Sequence, residues 1–226
     1  MDTEQIKALF ASPLVSSSPS YADDPANPAA LPDVSLNFLA ELCRVLNAQT
    51  AFEFGSGRST LTFLEAGLRV VSVEDSAYWM EKTVERIPVA VRTSHTPLTV
   101  SLELLWRWGV PYRSWRLTDK LQALLRDTDI VLIDSPYYAP FREVTLYDVL
   151  QQVRRGIVVL DDTRIPTLAR FCARLAAANP HVLHVSVPVG HGLSLFACTA
   201  DTPVRLPFDL TESLKGWRRF LRAQAS

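Results

Sequence analysis

Four short apolar runs, each followed by a segment with helical spacing, constrain this fold more than any other feature of the sequence. The runs are TAFEF (50–54), LRVVSVE (68–74), DIVLID (129–134) and IVVLDD (157–162). They are apolar almost throughout, which is typical of strands that are covered on both faces. Because such strands alternate here with helices, the sequence predicts a doubly wound α/β fold with a mostly parallel sheet.

The last two apolar runs predict how the sheet ends. HVLHVSV (181–187) and LSLFACT (193–199) are separated by PVGHG, which is too short for a helical crossover. We therefore expect a C-terminal antiparallel hairpin. The segment VAVRTSH (89–95) alternates like a strand and supplies a third strand that ends at His95. The result is a seven-stranded, Rossmann-like sheet.

The length of 226 residues suits one α/β domain, which we place at residues 34–200. Prolines and serines are frequent before it, so residues 1–33 are predicted to form an N-terminal arm that is extended from Pro13 to Pro32. Basic and aromatic residues alternate near the end, which predicts an amphipathic C-terminal helix packed on the domain at residues 201–226.

Charge, hydropathy and cysteine usage exclude several classes of protein. The net charge of -1 and the pI of about 6.4 argue against binding to nucleic acid or to an anionic membrane surface. No uninterrupted apolar run is long enough to span a bilayer, and the start does not resemble a signal peptide. The three cysteines lie far apart among apolar neighbours, as expected of buried thiols in a cytoplasmic protein.

The stretch FEFGSGRST after the first strand predicts a ligand-binding loop. Gly55 and Gly57 allow a tight turn with the backbone close to a ligand. Thr60 occupies the place of the third glycine of a dinucleotide loop, and the carboxylate of Glu53 before the turn would repel a pyrophosphate. These residues favour a cationic or zwitterionic ligand.

Glu74 ends the second strand at the spacing, about 20 residues, at which an acidic residue meets ribose hydroxyls. A ligand with a ribose at one end and an amino-acid group at the other fits both Glu74 and the loop. S-adenosylmethionine is such a ligand.

The order of the motifs FEFGSGRST, VVSVEDSAYW, DIVLIDSP and GIVVLDD resembles that of class I S-adenosylmethionine-dependent methyltransferases. It is most similar to the branch whose first motif reads E-x-G-S-G-x-S-T. The resemblance implies that the first loop binds the methionine part of the cofactor, that Glu74 binds the ribose, and that Asp75 and His95 line the adenine. The loop residues implied are Glu53, Gly55, Ser56, Gly57, Ser59 and Thr60.

Asp134, Asp161 and Asp162 follow the fourth and fifth strands and are expected to converge beside the cofactor. This part of the sequence resembles catechol-type O-methyltransferases, which hold a divalent metal on acids at these places, and so implies Mg²⁺ on all three aspartates. Those enzymes have a lysine shortly after the first acid, whereas this chain has Arg142, which cannot act as a base at neutral pH. Two interpretations stay open: a metal site, or acids that cap helices or bind substrate directly.

His191 lies between two glycines at the predicted hairpin turn, where an exposed histidine could act as a general base. With Asp134 and Asp162 it completes the set of candidate catalytic residues. The aromatic segment LLWRWGVPYRSWRL (104–117) is expected to form a strand-to-helix connection and a helix. Its side chains belong either to the core, to a homodimer contact, or to an apolar wall of the acceptor pocket.

The sequence therefore predicts a methyltransferase that uses S-adenosylmethionine on a small-molecule acceptor, with transfer to oxygen. One alternative is a member of the fold without catalytic activity that serves as a binding or assembly subunit. Another is an NAD-dependent oxidoreductase, which Thr60 and Glu53 in the loop disfavour.

Overall fold

The fold is that of a computed structural model, which describes residues 3–16, 31–107, 110–136, 139–200 and 202–206. The helices are α1 Thr3–Phe10, α2 Pro13–Ser16, α3 Asp33–Leu46, α4 Arg58–Glu65, α5 Ala77–Arg86, a 3₁₀ helix Val89–Ser94, α6 Asp119–Arg126, α7 Ala139–Leu150 and α8 Pro166–Ala178. The strands are β1 Thr50–Phe54, β2 Arg69–Glu74, β3 His95–Thr99, β4 Glu103–Arg107, β5 Val110–Ser114, β6 Ile130–Ile133, β7 Ile157–Leu160, β8 Val182–Val187 and β9 Leu193–Cys198. None of the helices in these ranges has the length and hydropathy needed to cross a membrane.

Seven strands form one sheet in the order β3-β2-β1-β6-β7-β9-β8. The first five strands in this order, β3, β2, β1, β6 and β7, pair in parallel, whereas β9 runs antiparallel to both β7 and β8. The predicted doubly wound sheet with a C-terminal antiparallel hairpin is therefore confirmed. Chain order reverses between β1 and β6, and open α/β sheets bind ligands beside such a point.

Both faces of the sheet are covered by helices because the central strands are apolar on both sides. Side chains such as Ala51 and Leu132 point to one face and pack with α3 and α4. Phe54 and Ile133 point to the other face and pack with α6, α7 and α8. The alternation of side chains along each strand divides one continuous apolar run between the two layers.

The third strand differs from the prediction. Residues Val89–Ser94 form a 3₁₀ helix with an exposed Val89, and β3 begins at His95 instead of ending there. The apolar alternation of VAVRTSH was therefore misread as a strand. Because β3 is an edge strand that pairs only with β2, it needs few apolar side chains and tolerates Pro97, which has no N–H to donate.

The aromatic segment forms an antiparallel pair of strands, β4 and β5, that the sequence did not predict. Trp115 is buried against Phe54, with 5.1 Å between ring centroids, and its Nε1 donates to the carbonyl of Val100 at 2.9 Å. Tyr112 is also buried, whereas Trp106 is 58% exposed. The segment therefore contributes both to the core and to the surface; its Trp108 lies outside the described residues.

The two ends of the chain were predicted as an extended arm and a packed helix. Pro13–Ser16 is helical, so the extended conformation is wrong for these residues, and Val15 of α2 is buried with Ile6 and Leu9 of α1. Residues 17–30, which carry the rest of the arm, lie outside the described residues, as do 201 and 207–226 of the predicted C-terminal helix.

Gly156 gives a direct test of the packing at the start of β6 and β7. A Cβ on this residue would lie 2.3 Å from the carbonyl oxygen of Thr128 and 3.0 Å from that of Asp129. Because backbone atoms cannot move aside as a flexible side chain can, we expect Gly156→Ala to lower the free energy of unfolding in urea by about 3 kcal/mol.

Gly67→Ala is the matched control. Its added Cβ meets nothing within 4 Å, and its cost comes only from a φ of +86°, at about 1 kcal/mol. Equal losses in the two variants would contradict the close packing at Gly156.

Candidate functional site

Polar or glycine residues follow the four central parallel strands at one edge of the sheet. Phe54 of β1 pairs in register with Val73 of β2 and Ile133 of β6, and Ile133 pairs with Leu160 of β7. The residues that come next along each strand are Glu74, Gly55, Asp134 and Asp161. Register therefore brings the predicted cofactor loop and the predicted acids to one edge, on either side of the point where strand order reverses.

The glycine loop approaches the loop that follows β6 closely. Gly55 has a φ of +99°, and a Cβ on it would lie 3.1 Å from the Cβ of Ser135, so both conformation and space favour glycine here. Gly57 is extended, and a Cβ on it would meet nothing within 4 Å. The loop is thus packed on one side at Gly55 and open at Gly57.

Glu53 lies beneath this loop with no exposed surface. Its carboxylate accepts a hydrogen bond from Ser59 Oγ at 2.7 Å, another from Ser72 Oγ at 2.6 Å, and a third from Thr60 Oγ1. Thr60 Oγ1 in turn accepts from the N–H of Gly57 at 3.0 Å. In the structure these three predicted cofactor residues, Glu53, Ser59 and Thr60, are therefore buried and joined by hydrogen bonds that fix the loop.

His95 belongs to the same buried network. Its Nε2 lies 2.9 Å from Ser72 Oγ, and because Ser72 donates its proton to Glu53, we assign the donor role to His95 Nε2–H. Burial lowers the pKa of His95. His95 pairs with Val70 near the start of β2, so the prediction that it ends a strand is wrong. That it lines the adenine stays a prediction.

Burial raises the pKa of Glu53 to about 7, against the opposing effect of the hydroxyl groups that donate to it. The penalty arises because a charged carboxylate loses its hydration inside the protein. Glu53 is therefore close to its midpoint at neutral pH.

Glu74 connects the glycine loop with the helix that follows β2. Its Oε2 accepts from the N–H of Ser56 at 3.0 Å, and its Oε1 accepts from the N–H of Ser76 at 3.1 Å. Ser76 caps α5 by accepting from the N–H of Trp79. Burial raises the pKa of Glu74, and the two backbone donors oppose this shift. Asp75 beside it is exposed.

The three predicted catalytic or metal-binding aspartates converge, and they do so around Arg142. Arg142 is 3% exposed; its Nη1 lies 2.7 Å from Asp162 Oδ2 and 4.0 Å from Asp161 Oδ2, and its Nη2 lies 3.4 Å from Asp134 Oδ1. Arg142 Nε donates to the carbonyl of Pro136 at 2.9 Å. A buried cation therefore joins the loop after β6 to the loop after β7.

The surroundings of Asp134 and Asp161 favour their protonated forms. Burial and neighbouring carboxylates raise the pKa of Asp161 to about 7 and that of Asp134 well above its usual value, while Arg142 lowers both. The raised pKa values reflect the cost of placing several negative charges together in a site with little water.

The donor set does not fit Mg²⁺ while Arg142 holds this position. A magnesium ion needs carboxylate oxygens free at about 2.0–2.1 Å. Here the guanidinium lies within 3.4 Å of oxygens of both Asp134 and Asp162, and a dication placed among the acids would be repelled by it. The ligand atoms of Asp161, Asp162 and His191 lie within 4.8 Å of one another, but this set includes the same Asp162 oxygens.

His191 lies beside Asp162, with 3.6 Å between Nδ1 and Oδ1, and its side chain is 14% exposed. Two backbone hydrogen bonds fix the hairpin turn to the loop after β7: Thr163 N donates to Gly192 O, and Arg164 N donates to His191 O, each at 3.0 Å. A Cβ on Gly192 would lie 2.8 Å from Arg164 N, so only glycine allows this approach. The hairpin thereby brings the predicted base to the acid cluster.

Comparisons of the sequence with protein-family models and with curated proteins give no match. Solved structures do match. A methyltransferase from Geobacter sulfurreducens has a TM-score of 0.57 at 16% identity, covering 77% of this chain and 83% of its own. An O-methyltransferase from Bacillus cereus, in complex with SAH, has a TM-score of 0.54 at 19% identity, covering 88% and 91%. An SAH-bound methyltransferase from Podospora anserina has a TM-score of 0.55 at 15% identity, covering 88% and 97%.

At these identities the similarity establishes the fold. The resemblance to class I methyltransferases is therefore confirmed as a resemblance of architecture, and the Rossmann-like arrangement with it. The roles of individual residues rest on the geometry of this chain.

Sequence reasoning missed two members of the site, Ser72 and Arg142. Ser72 is a polar residue inside an apolar strand, which is a signal for a buried hydrogen-bond partner, and it pairs in register with Glu53. From the sequence, Arg142 was discussed only as the residue found in place of an expected lysine. Its contact with the acids depends on how α7 packs, which residue spacing does not reveal.

Glu53 predicts a specific dependence of stability on pH. Its pKa is raised from 4.5 to about 7 in the folded state, so the folded chain binds the proton more tightly than the unfolded chain. The resulting stabilisation is complete below the unfolded value and is lost as pH rises through about 7. Between pH 5 and pH 8 we expect the parent to lose about 2 kcal/mol of unfolding free energy that Glu53→Gln does not lose.

The measurement is urea unfolding of parent and variant at both pH values. Glu65→Gln, an exposed carboxyl on α4, serves as the control and should follow the parent. Parallel pH profiles for the parent and Glu53→Gln would show that Glu53 is not the titrating group.

Proposed function

We propose that this protein is an S-adenosylmethionine-dependent methyltransferase acting on a small-molecule acceptor. The observation that supports this most strongly is the contact between Glu74 and the loop: its carboxylate holds the N–H of Ser56 at 3.0 Å at the edge where strand order reverses. An acid, a glycine loop and a helix N-terminus are thereby combined in one site.

The open side of the loop and Glu74 offer complementary groups to the two ends of the cofactor. The first turn of α4 follows Gly57, so its backbone N–H groups and the dipole of the helix favour a carboxylate. Oε2 of Glu74 accepts from both the N–H and the Oγ of Ser56, whereas Oε1 has a second lone pair beyond its bond from Ser76 N–H and can accept from a ribose hydroxyl. When bound, S-adenosylmethionine supplies an electrophilic methyl group.

The acceptor side of the cleft is formed by the acids and His191. His191 is the base that removes a proton from an acceptor hydroxyl, and Asp162, 3.6 Å away, positions the ring and stabilises it once it is protonated. Asp162 is in turn held by Arg142 at 2.7 Å. Aligning the acceptor for in-line attack on the methyl group is the remaining task of this side.

An NAD-dependent oxidoreductase fits this site less well. The hydroxyl of Thr60, at the third glycine position, is committed to Glu53 and to the N–H of Gly57. A carboxylate below the loop disfavours a pyrophosphate above it. No contact of the described residues favours a purely structural role over catalysis.

Glu74 provides the test of cofactor binding. We expect isothermal titration calorimetry to show binding of S-adenosylhomocysteine by the parent, and Glu74→Gln to bind at least about tenfold more weakly, because a charged acceptor is lost. Glu65→Gln is the control and should bind like the parent. No binding to the parent at millimolar ligand, together with binding of NADH, would refute the proposal.

His191 provides the test of the acceptor side. With an acceptor identified from a panel of phenols, carboxylic acids and amines, we expect His191→Gln to lower kcat about 100-fold or more. The Kd for S-adenosylhomocysteine should stay within about twofold of the parent, because His191 lies on the acceptor side. His184→Gln, whose ring stacks on Phe196 in the hairpin, is the control. An unchanged kcat in His191→Gln would remove this residue from the mechanism.

A further inference from the structure

The guanidinium of Arg142 is fixed by more than the acids around it. Its Nε donates to the carbonyl of Pro136 at 2.9 Å, so one edge of the planar group is anchored to the backbone after β6. Nη1 lies 2.7 Å from Asp162 Oδ2, without the geometry of a hydrogen bond, and Nη2 lies 3.4 Å from Asp134 Oδ1. A rigid fork that is anchored in this way is preorganised, unlike a flexible surface side chain.

The three aspartates around Arg142 need a positive charge to compensate their own. Three aspartates would carry three negative charges in a site where Asp161 is 2% exposed. The single positive charge of Arg142, whose Nη2 lies 3.4 Å from Asp134 Oδ1, reduces this excess. Without Arg142 the clustered carboxylates would repel one another without the compensating charge of the guanidinium.

Arg142 also bridges two loops, as a bound metal ion would. Asp134 belongs to the loop after β6, and Asp162 to the loop after β7; the guanidinium contacts both. Asp162 has a φ of +64°, in the left-handed region that is uncommon for a residue with a side chain, so its position depends on such contacts. Through Asp162 the bridge extends to His191.

We propose that Arg142 is the built-in cation of this site and takes the place of a divalent metal in holding Asp134, Asp161 and Asp162 together. Arg142 is thus a positioning residue, which acts on the acceptor through Asp162 and His191. Its role in methyl transfer rests on the proposed function, whereas its role in excluding a metal does not.

Removal of the guanidinium is expected to create a metal site. Asp161 Oδ1 is buried without a hydrogen-bond partner, and with Arg142 shortened the oxygens of Asp134 and Asp162 become free as well. Mn²⁺ and Mg²⁺ prefer such a set of carboxylate oxygens. The loss of one cation should therefore be compensated by the gain of another.

The experiment is calorimetric titration of Mn²⁺ and Mg²⁺, without cofactor, into the parent and three variants. We expect no binding by the parent up to about 10 mM, and binding of Mn²⁺ by Arg142→Gln at least about tenfold tighter than any parent signal. Arg142→Lys retains a cation and should not gain the site. Arg107→Gln breaks an ion pair with Asp148 and controls for the loss of an arginine, because it frees only one carboxylate.

A rise in the melting temperature of Arg142→Gln on addition of Mn²⁺, absent from the other proteins, is the second expected result, because binding stabilises the folded state. If Arg142→Gln folds but binds Mn²⁺ no better than Arg107→Gln does, the proposal is overturned. The parent titration decides independently of the folding of any variant. A micromolar site for either ion in the parent, abolished by Asp162→Asn, would show that metal and arginine coexist.

Failure of the proposed function would look different. In that case S-adenosylhomocysteine would not bind to the parent, while the metal titrations of the parent and Arg142→Gln would keep their expected outcomes.

Discussion

The buried carboxylate of Glu53 is the constraint on which the glycine loop at the edge of the sheet depends. A charged group without exposed surface costs several kcal/mol unless it is compensated. Here the compensation comes from hydroxyls on two elements, Ser72 on β2 and Ser59 and Thr60 on α4. Because Thr60 also accepts from Gly57 N, the same network that solves the burial problem sets the shape of the loop.

The cluster of Asp134, Asp161 and Asp162 follows the same rule with the opposite arrangement. There the acids are several and the compensating group is one cation, Arg142, anchored to the carbonyl of Pro136. The two networks lie on either side of the point where strand order reverses, with Gly55 packed against Ser135 between them. The cleft is therefore built from two buried polar networks, each of which joins elements that are distant in the chain.

Much of this arrangement could be predicted from the sequence because it depends on local patterns. Continuous apolar runs identified the central strands, and the residues that end them, Glu74 and Asp134 among them, lie at one edge because parallel register requires it. The short PVGHG connection predicted the hairpin that carries His191. Where burial on both faces determines the residue types, sequence and structure agree.

The errors fall where tertiary contacts decide. The edge strand β3 pairs with β2 and carries few apolar side chains, so its apolar pattern is weak. The sequence therefore placed this strand too early in the chain and put His95 at its end instead of its start. The β4–β5 pair forms a separate two-stranded sheet, and Trp115, which follows β5, packs against Phe54. No turn between these two strands was predicted from the sequence. The contact of Arg142 with the acids depends on how its helix packs, and residue spacing in the sequence does not reveal this packing.

A crystal structure of the protein with S-adenosylhomocysteine would show whether the glycine loop and Glu74 bind the cofactor. We expect electron density for the amino-acid part of the ligand beside Gly57, with a ribose hydroxyl hydrogen-bonded to Glu74 and the Glu53 network unchanged. Density for the ligand elsewhere on the sheet edge, or a ribose that makes no contact with Glu74, would contradict this expectation.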